Sequence, residues 1–309
     1  MAIVAAVEWS GDVRPLKMDL SADWDQEGSI VQQICDLVGL SIDQIVLLWA
    51  SPPCETYSQL QYGMAERGNA HRDTADPSRP PRTLESCEKP AHFAKRKLAI
   101  NHDTMNCNLA RSLAADKKRG LDFTFGWENP AGGMMSNQEF MNTTDWTELT
   151  DRQIVDYCNY WTSLYHKPTA VWLSHCGWVP GGKSGTGRCG QACHSGRWIL
   201  DSERVNCMKW IHDCQLGGPK SRVPPAKNLQ QRWHVPEELF CEVLLAAAKH
   251  KQSVEGGKKL WVIELFAGQA GSGSVARDLG YGYVPVDMCT DHFPADFPSP
   301  LDVSSLRGG

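Results

Sequence analysis

A chain of 309 residues with 41% hydrophobic and 22% charged residues can bury a sizeable core, which sets aside a disordered or fibrous protein and leaves one large domain or two smaller ones. A net charge of -5 sets aside a global basic field, so any nucleic-acid surface has to be local. The longest apolar runs, such as Glu242 to Lys249, are too short to span a bilayer, and the first residues lack the basic segment of a secretory signal; the twelve scattered cysteines then point to free thiols in a reducing, intracellular compartment, with room for one metal site.

In chain order, Ile3 to Val7 reads as a strand followed by Glu8-Trp9, and Pro15 to Leu20 as a short strand carrying Asp19. Ser29 to Leu40 places Ile30, Ile34, Leu37 and Val38 at helical spacing, with Gly39 near the end. The apolar run Ile45 to Ala50 is a strand that stops at Ser51-Pro52-Pro53, and Cys54 follows at once. The two prolines fix the path out of the strand. A cysteine at the C-terminal end of a buried α/β strand sits where open parallel sheets bind ligands, so Cys54 reads as a nucleophile; a packing thiol is the alternative.

From Leu60 to Gly120 the chain holds twelve Lys/Arg against seven Asp/Glu, with three His. Arg72 to Arg82 is polar and Pro-rich: a solvated loop, or one that closes over an anionic substrate. Pro90 to Lys118 reads as helix, with Phe93, Leu98, Leu109 and Leu113 as core positions. Leu121 to Trp127 is a strand ended by Glu128-Asn129-Pro130, a second polar turn that suggests a neighbour of the first strand in one sheet. Thr147 to Cys158 is expected to be helical, and Lys167 to Ser174 a strand with its basic residue first.

His175 to Gly196 is rich in glycine and holds Cys176, Cys189, Cys193 and His194, a spacing that suits zinc; an irregular loop with incidental thiols is the alternative. Gly177 to Ser184 matches the letters of a P-loop, but no helical pattern follows the serine, so the match is read as chance. Pro236 to Lys251 is a helix with acids first and bases last, as the helix dipole prefers, and Ser253 to Lys259 is a linker. A new unit then begins: strand Leu260 to Phe266, Gly-rich turn Ala267 to Gly273, helix from Ser274 to Leu279, and strand Tyr283 to Val286 ending in Asp287. Strand, glycine turn, helix, strand and acid is the layout of a nucleoside-containing cofactor site.

These pieces together resemble the DNA (cytosine-5) methyltransferase family. The resemblance rests on Glu264-Leu265-Phe266-Ala267-Gly268-Gln269-Ala270-Gly271, on Pro53-Cys54 with Ser58, and on Glu128-Asn129. It implies an α/β, Rossmann-like fold that binds S-adenosylmethionine and acts on DNA. The implied catalytic residues are Cys54, Glu128, Ser58 and Lys167. The implied cofactor contacts are Phe266, Ala267, Gly268, Gly271, Asp287, Pro53, the acid-aromatic pair Glu8-Trp9, and Asp19. Lys167 and Thr169 stand where the family has arginines, Glu55 where it has Gln, and Pro130 where it has Val.

The motif order differs from that of the family, because the cofactor loop comes last. A circular permutation would explain this, as would a chain cut from a tandem array of methyltransferases. The expected organisation is residues 1–174 as catalytic core, 175–235 as a Cys/Gly-rich insert for zinc or target recognition, and 236–309 as the terminal helix and cofactor unit completing the core. A zinc-stabilised nucleic-acid-binding module without activity is the competing expectation. The sequence does not separate DNA from RNA as substrate.

Overall fold

The computed structural model describes residues 11–20, 28–57, 72–73, 75–76, 78, 80–85, 90–160, 166–191, 193, 196–200, 207–212, 235–251, 257–267, 270–291 and 293–303. The strand expected at Ile3 to Val7 lies outside them. Strands β1 (Leu16–Lys17), β2 (Ile45–Ala50), β3 (Thr124–Pro130), β4 (Thr150–Asp156), β5 (Pro168–Ser174), β8 (Trp261–Leu265), β9 (Gly282–Asp287) and β10 (Leu301–Asp302) form one sheet. Its order is β10-β1-β9-β8-β2-β3-β5-β4. Neighbours pair in parallel except β5, which runs antiparallel to both β3 and β4. β6 (Gly196–Leu200) and β7 (Met208–His212) form a separate antiparallel pair.

The central strands are apolar throughout because both sheet faces are covered. Every residue of β2 and β8 is buried. On one face lie α1 (Ile30–Val38) and α2 (Pro90–Lys118), packed with Leu48, Ala50, Ile263 and Leu265. On the other, α4 (Glu237–His250) packs with Leu47, Trp49 and Val262 as α5 (Ser272–Asp278) closes its edge. α1 starts where Ser29 Oγ accepts from the Gln32 amide at 3.0 Å, and it stops at Gly39, whose φ of 67° a side chain would resist.

Counted from β8, the parallel strands β8, β9, β1, β2, β3 and β4 have the order 3-2-1-4-5-6 of a doubly wound Rossmann-like sheet. β5 is wedged between the last two and β10 is added at the edge. The topological switch point therefore falls between β8 and β2. Strands from the two ends of the chain share this one sheet, and the unit that is last in sequence supplies its middle. Val284 and Asp287 take the second position and Leu16 the third, and Leu301–Asp302 pairs outside Leu16–Lys17 as an added edge strand.

Two expectations fail. Thr147 to Cys158 is not a helix: α3 (Thr144–Leu149) ends at Leu149, and the next seven residues, Thr150–Asp156, are β4. The register of Thr150 to Asp156 along β5 overrides the local helical pattern. In α2, Phe93 is 46% exposed and Leu98 only half-buried, although Leu109 and Leu113 are core. Part of its buried face is instead polar: Arg96, His102, Asn106 and Asp116. No helix among the described residues is long and apolar enough to cross a membrane.

Candidate active site

β2 and β8 run side by side with Ala50 opposite Leu265, and the Ser51 amide donates to the Leu265 carbonyl at 3.4 Å. The Pro-Pro-Cys turn and the glycine-rich turn thus leave the sheet together at its switch point. Pro52 is buried and Pro53 exposed, and Cys54 is half-buried behind them. The Tyr57 amide donates to the Cys54 carbonyl at 3.0 Å, which makes residues 54–57 a tight turn.

Glu128 comes from the end of β3, where it is 5% exposed. Its Oε1 accepts from Tyr157 Oη at 2.9 Å and from Lys167 Nζ at 3.2 Å. Among the described residues, Oε2 takes no hydrogen bond. Lys167 lies just before β5, is 7% exposed, and sits 4.5 Å from the Tyr157 ring centre. Asn129 Nδ2 donates to the Pro52 carbonyl at 3.3 Å and so ties β3 to the turn that carries Cys54. Burial pushes the Cys54 thiol above its ordinary range; Lys167 pulls it back down and Glu128 pushes it up. Cys54, Glu128 and Lys167 are therefore within electrostatic reach of one another. Tyr157 completes the group. Sequence reasoning missed it, because the segment holding it was read as helix and its partner is 29 residues away.

A second network holds the Cys54 turn from behind. Arg72 is fully buried. Its Nε donates to the Thr56 carbonyl at 2.7 Å, and Nη1 and Nη2 donate to the two Asp103 oxygens at 2.8 and 2.5 Å. The guanidinium lies 4.0 Å from the Tyr57 ring centre, and Tyr57 Oη in turn donates to Asp103 at 2.7 Å. Thr56 Oγ1 meets His102 Nδ1 at 3.1 Å. Burial, and then the charge of Arg72, push His102 down to about 4, so it is neutral. Arg72, at the start of the Pro-rich stretch, is thus a buried clamp, where composition had suggested a solvated loop or one that closes over an anionic substrate.

In the glycine-rich turn after β8, Phe266 and Ala270 both have left-handed backbones, with φ of 58° and 53°. Non-glycine residues rarely adopt this conformation, and it bends the chain sharply at both positions. Just before the turn, Glu264 is buried and accepts from Tyr283 Oη and, at 3.1 Å, from Ser272 Oγ. Burial raises its carboxyl to about 7. A Cβ on Gly273 would lie 2.6 Å from the Tyr283 ring, so only glycine lets α5 approach β9 this closely. Asp287 stands half-buried at the end of β9, and Asp19 is exposed just past β1. Glu8, Trp9, Ser58 and Gly268 lie outside the described residues.

The cysteine cluster differs from the expected one. Cys189 and Cys193 converge with Cys158 and His212, and the four ligand atoms lie within 4.8 Å of one another. Cys176 instead packs at the end of β5 against the core on the α4 side, and His194 lies outside the described residues. Spacing within one loop suggested four local ligands. The fold draws two of them from the ends of β4 and β7.

No protein-family profile matches the chain, and no curated protein matches it. Among solved structures, the M1.HpyAVI–SAM complex aligns over 91% of this chain and 95% of its own, with 9% identity and a TM-score of 0.35. The structure described as M1.HpyAVI aligns over the same shares, with 9% identity and a TM-score of 0.30. At these values the likeness carries no inference about activity.

Proposed function

We propose that the chain is an S-adenosylmethionine-dependent methyltransferase that adds a methyl group to carbon-5 of cytosine in DNA through a covalent Cys54 adduct. One observation carries this reading: a single thiol within reach of Lys167 and Glu128 stands one strand away from a glycine-rich turn, at the switch point of a Rossmann-like sheet. The left-handed backbones of Phe266 and Ala270 and the acid Asp287 at the next strand end fit a nucleoside cofactor held at that crevice. When bound, S-adenosylmethionine supplies an electrophilic methyl group.

Cytosine carbon-5 is a weak nucleophile, and addition of the Cys54 thiolate to carbon-6 turns it into an enamine carbon that can take the methyl group. The Lys167 ammonium compensates the thiolate charge that burial disfavours. Tyr157 and Lys167 fix one oxygen of Glu128, which leaves Oε2 for the ring N3, where charge develops during addition. Loss of the carbon-5 proton to a base then expels Cys54 and restores the ring. A target in duplex DNA has to leave the base stack to meet this site.

Incubation with methyl-tritiated cofactor and cytosine-containing duplex DNA is expected to label carbon-5, and Cys54→Ala to abolish the label. Glu128→Gln should lower the rate by roughly 10²- to 10⁴-fold. DNA carrying 5-fluorocytosine, whose fluorine replaces the proton that must leave, should be trapped on Cys54. Label on RNA alone would reassign the substrate. DNA binding without any transfer would replace the reading by that of an inactive binding module.

A further inference from the structure

The four residues Cys158, Cys189, Cys193 and His212 have no part in the chemistry above. Three are buried and His212 is half-buried. His212 Nε2 lies 3.4 Å from Cys158 Sγ and 3.3 Å from Cys189 Sγ. Tetrahedral zinc with bonds of about 2.3 Å to sulfur and about 2.0 Å to nitrogen needs roughly 3.5 Å between S and N and roughly 3.8 Å between sulfurs. The cluster has that size, and its all-S/N donor set suits zinc. Four protein ligands leave no open position, which is the pattern of a structural site.

The surroundings are built to hold the ligands in place. Gly187 before Cys189, and Gly190 and Gln191 just after it, have φ of 69°, 53° and 61°, so the backbone turns sharply on both sides of Cys189. The Cys189 amide and Arg188 Nε donate to Asp156 Oδ2 at 2.8 and 2.9 Å. His166 stacks on His212 with ring centres 4.5 Å apart. Such outer contacts orient metal ligands.

The position of the cluster gives it a task. β6 and β7 form a two-stranded ribbon outside the main sheet, and Trp198, Leu200 and Met208 on it are 48%, 71% and 54% exposed. A two-stranded ribbon of this size is marginal by itself in water. Cys193 precedes β6 and His212 ends β7, while Cys158 follows β4 and adjoins Tyr157, which holds Glu128. We propose that Cys158, Cys189, Cys193 and His212 bind one Zn²⁺ that staples the β6–β7 ribbon to the catalytic sheet beside Tyr157.

The test reads metal on the full chain without cofactor or DNA, so it stands or falls separately from methyl transfer. Protein grown with zinc and freed of loose metal by a weak chelator is expected to hold one zinc per chain by mass spectrometry. Cobalt exchanged into it should give tetrahedral d–d bands with thiolate charge-transfer absorption. Cys193→Ser and His212→Ala should bind zinc at least tenfold more weakly. His212→Cys should keep the metal and add charge-transfer intensity, and it guards against variants that fail to fold. Cys176→Ser and His194→Ala should keep stoichiometric zinc. A folded wild-type protein without stoichiometric zinc would overturn the proposal, as would a six-coordinate cobalt spectrum or loss of zinc from His194→Ala with retention in His212→Ala.

Discussion

The two turns that meet at the switch point are built in opposite ways. The turn after β2 is held by charge: Arg72 and Asp103 grip it from behind, and Lys167 and Glu128 flank it in front. The turn after β8 is held by backbone shape: two left-handed residues, a glycine against a tyrosine ring, and a carboxyl that burial keeps largely protonated below pH 7. A group that gains and loses charge during a reaction needs fixed charges around it. A turn that receives a bulky ligand needs curvature and room. The ends of two neighbouring central strands carry these two kinds of turn.

The largest effect that tests this contrast is expected from the clamp. Arg72→Met leaves Asp103 without its partner beside a buried tyrosine, and breaking such a pair costs roughly 3–5 kcal/mol. Arg72→Lys should recover little of this, because an ammonium cannot span both Asp103 oxygens and the Thr56 carbonyl. Urea unfolding of the two variants measures it. S-adenosylmethionine binding, followed by calorimetry in variants that remain folded, should be nearly unchanged, since the Arg72 contacts to Thr56, Asp103 and Tyr57 all lie on the β2 side. Stability within about 1 kcal/mol of wild type would mean that charge does not hold the Cys54 turn.

How much of this was legible in the sequence follows the same divide. The central strands were readable because apolar runs such as Ile45 to Ala50 and Trp261 to Leu265 are buried on both faces. Cys54 stood out because it follows a buried strand, and Glu128 and Lys167 were named from the resemblance; the fold brings the last two together at 3.2 Å. Arg72, Tyr157, Cys158 and His212 were not readable, because their partners are distant in sequence and no local period marks them. Arg72 lay in a Pro-rich stretch that reads as solvated. β4 was misread because its pairing with β5 fixes Thr150 to Asp156 as strand, whatever pattern surrounds them.

A second pair of changes sharpens the contrast through pH. His102 supports the clamp and is held at about 4 against an ordinary 6.5, so the unfolded chain takes up its proton first, and stability falls as pH drops from about 6.5 to 4. Glu264 supports the turn after β8 and is held at about 7 against an ordinary 4.5, so the unfolded chain loses its proton first, and stability falls as pH rises from about 4.5 to 7. Each slope is about 1.4 kcal/mol per pH unit, and the two nearly cancel between pH 4.5 and 6.5. Relative to wild type, His102→Gln should therefore grow less stable with rising pH across that range and Glu264→Gln more stable. The full difference for each is about 3 kcal/mol. Equal slopes in the two variants, read by urea unfolding at pH 4.5, 5.5 and 6.5, would rule out opposite titrations on the two sides.

The smallest effect concerns the thiol itself. Burial holds Cys54 protonated at neutral pH, so alkylation by iodoacetamide, followed on the Cys54 peptide by mass spectrometry, should be slow at pH 7 and rise as the solution becomes basic. Lys167 favours the thiolate and Glu128 opposes it. Lys167→Gln should therefore move the alkylation profile to higher pH and Glu128→Gln to lower pH. Both changes also cut the Lys167–Glu128 ion pair, so a loss of local order would speed alkylation in both variants alike. Opposite displacements arise only if both charges act directly on the thiol. The sign of the difference between the variants thus separates an electrostatic site from a merely buried cysteine, and it does so without cofactor, DNA or turnover.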